Sequence, residues 1–207
     1  MRLDFQDRSF IGLLFLISGA TFLIGTMLAE TMAPGYSMND DTISDLGIMP
    51  GSATLFNGVV MLTGMLVVAG GLLFHRHHGR NVITALFILS GVGTFGVGVF
   101  TVNTPEMHTI FAVMAFLSSN VLAIASHAIL RGPLKALSVV LGANGLVFLI
   151  IMGMAYAGME LLFGPIGYGG TERMIVFPVM VWLLGLGGYL MGPQGNDARR
   201  EGREHHA

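Results

Sequence analysis

The chain has 207 residues, of which 53% are hydrophobic and 11% charged, with a formal net charge of -2 and a mean hydropathy of +0.74. This balance excludes an ordinary soluble domain and points to an all-α, polytopic membrane protein, because backbone amides in lipid must be satisfied within helices. The sequence has no cysteine, which excludes disulfides and thiolate-held metals.

Six apolar stretches reach the ~20 residues needed to cross a ~30 Å hydrocarbon core. They are placed at 10–29, 53–74, 82–101, 107–130, 134–157 and 174–191, forming a six transmembrane helix bundle over residues 1–195 with a short polar tail at 196–207. Charge sign sorts by connection. Arg2, Arg8, Arg76, Arg80, Arg131, Lys135, Arg199, Arg200 and Arg203 lie at the termini or in the second and fourth connections, and Arg173 stands alone at the other end. The positive-inside rule then predicts a multi-pass cell-membrane protein with both termini cytoplasmic. The first span follows Asp4 and Asp7 rather than a basic leader, so it reads as a retained helix and not a signal peptide. The tail mixes its arginines with Asp197, Glu201 and Glu204 and is short, which argues for a solvated end and no nucleic-acid partner.

In chain order, the first helix carries Gly12, Ser18, Gly19 and Gly25, small residues that permit close helix contact, and ends on Glu30, whose carboxylate is expected to reach water. The first outer connection is bounded by Pro34-Gly35 and Pro50-Gly51 and holds the densest polar stretch, N-D-D-T-I-S-D-L-G at 39–47. Thr42-x-x-Asp45 has capping-box spacing and predicts a short interfacial helix with Ile43 and Leu46 on apolar surface and Gly47 at its end. Asp40, Asp41, Ser44 and Asp45 suit capping and solvation, or a headgroup or hard-cation site. The D-x-D-x-D-G spacing of a calcium loop is absent, so no metal is assigned.

Asn57 lies one turn inside the second helix and can bond a neighbour. The third helix has Gly91, Gly93, Gly96 and Gly98 and is expected at the centre of the bundle. Thr104, Pro105 and Glu106 form a helix start, with His108 one turn in on a small, inward face with Ala112, Ala115 and Ser119. Asn120 and Asn144 fall at membrane depth, where they need partners. The glycines at 164–170 are too irregular for a phosphate loop and no cofactor motif occurs elsewhere. Trp182 reads as packing within the sixth helix.

The segments T-I-S-D-L-G and A-T-L-F-N-G-V-V-M-L-T-G, then G-V-G-V-F followed by P-E-M-H-T-I-F-A-V-M-A-F, then G-G-T-E-R-M resemble the family catalogued as domain of unknown function 998. The resemblance covers residues 42–191 and implies a prokaryotic, often archaeal, six-helix membrane protein with no assigned activity. It singles out Ser44, Asp45, Gly47, Asn57, His108, Glu172 and Arg173 as motif positions. Phe100-Thr101 departs from the phenylalanine-proline that usually follows the glycine-rich helix of that family.

The candidate binding set is Asp41, Ser44, Asp45, Asn57, Glu106, His108, Glu172 and Arg173. Helices two, four and six start at this outer end, so their positive N-termini together with Arg173 and His108 could take an anionic headgroup. The leading expectation is a lipid- or small-ligand-binding or accessory membrane protein, with membrane lipids, and a homo-oligomer or a second membrane protein, as partners. The alternative is a membrane-embedded hydrolase or lipid-modifying enzyme in which Ser44, Asp45 and His108 are the catalytic candidates, with Glu106 as a second acid beside His108. A transporter component ranks last, because no Asp, Glu, Lys or Arg falls at the centre of a span.

Overall fold

The computed structural model describes residues 5–192; the tail at 196–207 and Arg2, Arg199, Arg200 and Arg203 lie outside them. Among the described residues six helices are long and apolar enough to cross a membrane: α1 (Phe5–Thr31), α2 (Ala53–His78), α3 (Asn81–Val99), α4 (Pro105–Ala125), α5 (Pro133–Tyr156) and α6 (Gly167–Met191). Each helix packs on its chain neighbours, α6 closes the ring against α1, and α4 also reaches α6. The protein is an all-helical, multi-pass membrane bundle.

Small residues set the helix spacing, as expected where lipid gives no hydrophobic drive for association. A Cβ on Gly12 would lie 2.6 Å from the Gly187 carbonyl, and one on Gly187 2.6 Å from the Gly12 carbonyl, so α1 and α6 meet backbone to backbone. Gly70 and Gly71 make successive notches in α2. Phe15 of α1 fills the first and Phe87 of α3 the second, and their rings stack at 4.7 Å. On α3, Gly91 and Gly98 face α2 while Gly93 and Gly96 face α4. The glycines therefore let α3 be pressed between two neighbours in the ring; they do not place it at the centre.

The larger correction concerns the sixth span, which begins at Gly167 rather than at 174. The segment G-Y-G-G-T-E-R is helical, and Glu172 and Arg173 are buried helix residues, 4% and 8% exposed, instead of loop charges in water. Glycine allows this start: Gly167 has φ +63° and Gly169 leaves room for the carbonyls of Met38 and Asp41. The first connection can thus lie directly on the first turn of α6, where the Gly169 amide donates to the Asn39 carbonyl at 3.0 Å.

At membrane depth, α6 contains Pro178, which has no amide to offer the Met174 carbonyl four residues back. Asn144 Nδ2 of α5 donates to that carbonyl at 2.8 Å. Asn120 Nδ2 of α4 donates to the next one, Ile175, at 3.3 Å. Trp182 is packed as expected and also donates from Nε1 to Ser126 Oγ at 3.1 Å.

Asn144→Leu should cost about 1 kcal/mol of stability, since it strands the Met174 carbonyl in an apolar setting. In a Pro178→Ala background, where an amide is restored, the same substitution should cost clearly less. Thermal melting of the detergent-solubilised variants measures both losses, and equal losses would refute this role for Asn144.

Candidate functional site

The polar residues of the first connection fold inward. The stretch 43–47 forms a 3-10 helix, Ile43–Gly47, with Ile43 and Leu46 buried at 2% and 0% exposure. Asp45 Oδ2 accepts from the Thr42 amide at 2.8 Å and the Thr42 hydroxyl at 2.7 Å, the reach-back half of the predicted capping box. Asp41 accepts from the Ser37 amide at 2.7 Å and Asp40 from the Ser37 hydroxyl at 2.8 Å. Asn57 Nδ2 donates to the Gly47 carbonyl at 2.9 Å, fastening the end of the 3-10 helix to α2. These side chains shape the connection.

Two consecutive residues of α6 then tie this connection down. The Glu172 carboxylate accepts from the Ile43 amide and, at 2.9 Å, from the Ser44 hydroxyl. Arg173 donates to Glu30 at 2.6 Å, to the Tyr36 hydroxyl at 2.5 Å and to the Met38 carbonyl at 3.0 Å. Glu30, expected in water, is instead the ion-pair partner of Arg173, with side-chain exposures of 14% and 10%. Tyr36 passes the chain of bonds on by donating to the Thr42 carbonyl at 3.0 Å.

Glu30 and Tyr36 are absent from the sequence-derived set, although one signal points to Glu30. Among the described residues Arg173 is the single lysine or arginine at this end of the bundle, and a buried guanidinium requires a carboxylate.

His108 sits one turn into α4, and its Nδ1 lies 2.8 Å from the Phe100 carbonyl, just past α3. A carbonyl only accepts, so Nδ1 carries the hydrogen, and an uncharged imidazole then presents Nε2 as an acceptor. Helix α4 starts at Pro105 as predicted, but the Thr104 hydroxyl turns back to the Thr101 carbonyl at 3.0 Å instead of capping. Glu106 is exposed in the first turn.

Two hollows meet at the Ser44–Glu172 pair. The inner one, of about 50 Å³, has Ser44, Thr94, Ser119 and Glu172 among apolar walls and has room for a few waters. The outer one is a groove of about 700 Å³ between the outer halves of α4 and α5. Its walls include Ala112, Val113, Phe116, Leu149 and Met152, and its polar end has Thr42, Ser44, His108, Tyr156 and Glu172. Glycine placement explains why the groove exists. At the other end of the two helices a Cβ on Gly142 would lie 2.6 Å from the Asn120 carbonyl, whereas one on Gly153 would have nothing within 4 Å.

Of the candidate set, Ser44, His108 and Glu172 therefore border one groove. Asp41, Asp45 and Asn57 serve the connection, Arg173 is engaged by Glu30 and Tyr36, and Glu106 faces outward. Among the described residues no three His, Cys, Asp or Glu side chains gather as a metal site.

Burial pushes the Tyr36 phenol up to about 12 from its ordinary 10.0, against the opposing pull of the Arg173 guanidinium. The folded protein thus holds this proton more tightly than the unfolded chain does, so the contribution is intact below pH ~10 and is lost as pH rises towards ~12. Melting temperature measured across that window should fall, and Tyr36→Phe should make the fall shallower. An identical slope in the variant would contradict this assignment.

No curated protein and no solved structure matches the chain. A family model described as Protein of unknown function (DUF998) matches residues 16–189, and the chain belongs to that family.

Proposed function

We propose that this protein binds a membrane amphiphile, with the apolar part of the ligand in the groove between α4 and α5 and its head at Ser44, His108 and Glu172. The observation that carries the reading is a groove of about 700 Å³, apolar along its walls and polar at one end. That volume falls in the ~300–1,000 Å³ range of small-molecule sites, and a few convergent polar groups in an apolar cleft are how such sites fix orientation. The position of the groove at the outer ends of two spanning helices gives a lipid-like molecule a lateral route in.

In this reading the groove opens at the extracytoplasmic face of the cell membrane. Arg76 in the last turn of α2, Arg80 and Arg131 in the connections and Lys135 in the first turn of α5 all lie at the opposite end of the bundle, which supports that orientation. The first-turn amides of Gly169 in α6 and Ala53 in α2 are already donated to the Asn39 and Met49 carbonyls, and the Arg173 guanidinium is paired with Glu30 at 2.6 Å. The head of the ligand is accordingly met by Ser44, His108 and Glu172 and not by the arginine.

Gly153→Leu tests the groove without disturbing a contact, because a side chain there grows into open space. Native mass spectrometry of gently extracted protein should find a copurifying amphiphile on the wild type and lose it in Gly153→Leu, with little change in melting temperature. Equal occupancy in the two proteins would contradict the proposal.

A further inference from the structure

We infer that the head of the bound amphiphile is a protonated amine; this rests on the groove being the binding site. The inference comes from the charge and hydrogen-bonding inventory around the groove. Arg173 is closed off by Glu30, Tyr36 and Met38, and neither the groove nor the inner cavity has a lysine or arginine in its wall. Glu172 is the one carboxylate that borders both. Its carboxylate accepts from three neutral donors, the Ile43 amide, the Ser44 hydroxyl and the Ser44 amide, which leaves one of its four acceptor positions open.

The other polar groups at that end suit the same ligand. His108 uses its Nδ1 hydrogen on the Phe100 carbonyl, which leaves Nε2 as an acceptor, and Tyr156 and Thr42 offer hydroxyl oxygens. Phe116 and Tyr156 place aromatic rings in the wall, and aromatic rings attract cations over their faces. An ammonium group would supply hydrogens to these acceptors and would itself stabilise Glu172 as a carboxylate. A phosphate or carboxylate head would meet that charge in a poorly solvated place, where like charges repel most strongly.

The test compares dodecylamine, dodecanol and dodecanoate, which share a tail and differ in the head. Binding to wild-type protein in detergent, followed by native mass spectrometry, should rank amine above alcohol above carboxylate. The amine should bind about tenfold tighter than the alcohol, the scale of one charged hydrogen bond. Glu172→Gln should remove that preference, so that the amine binds no tighter than the alcohol.

A carboxylate bound as well as the amine, or an amine preference retained in Glu172→Gln, would overturn the inference while leaving the groove intact. If Glu172→Gln does not fold, the wild-type ranking alone decides. Binding of all three probes unaffected by Gly153→Leu would instead sink the groove itself, and with it the proposed function. Adding nanodiscs of phosphatidylethanolamine, whose ammonium sits beside an anionic phosphate, should leave dodecylamine bound, which points to an amine without a phosphate; displacement would show that a phosphate-bearing head is accepted and would overturn the inference.

Discussion

Two neighbouring charged residues, Glu172 and Arg173, are buried in the first turns of α6, and the architecture of this end of the bundle follows from that. Burying an ion costs several kcal/mol unless partners replace its water. Arg173 takes Glu30 from the end of α1 and Tyr36 and Met38 from the first connection. Glu172 takes the Ile43 amide and the Ser44 hydroxyl from the 3-10 helix. One connection therefore serves both charges, and it must lie across the top of the ring to do so.

The glycines of α6 make that placement possible. A side chain at 167 or 169 would strike the backbone of residues 38–41, so the irregular glycines that fail as a phosphate loop act as a seat for the connection. Ser44 is thereby carried to the point where the inner cavity and the α4/α5 groove meet. The same logic recurs deeper down. Pro178 leaves a carbonyl of α6 without its helical donor, and Asn144 supplies one from α5. Asn120 and Asn144 gather α4 and α5 around α6 at mid-depth, while Gly153 leaves their outer halves apart.

Much of this is legible in the sequence, for physical reasons that differ by element. The spans follow from length and hydropathy, and the 3-10 helix at Ile43–Gly47 follows from the Thr42–Asp45 spacing and the two apolar residues beside it. The α1 contacts follow from small residues: Gly12 and Gly19 lie on α6, Ser18 donates to the Thr63 carbonyl at 3.2 Å, and Gly25 lies on Val59. Hydropathy misplaces the start of α6 because it discounts a segment containing Glu and Arg, even where each has a partner inside the protein. Pairing between residues 30 and 173 is a long-range fact that no local pattern encodes. The central position expected for α3 fails for a related reason, since glycine density reports close packing and not location. The groove itself depends on which glycines find a partner, and only the packed structure distinguishes Gly142 from Gly153.

The central claim is that Glu172 holds the first connection in place as the roof of the groove. Hydrogen exchange read along the chain in wild type and Glu172→Ala tests it most directly. The account predicts that amides of residues 37–47 lose protection by about tenfold or more in the variant, while those in the middle of α2 and α3 keep theirs, as befits a local opening rather than global unfolding. Unchanged protection across residues 37–47 would contradict it.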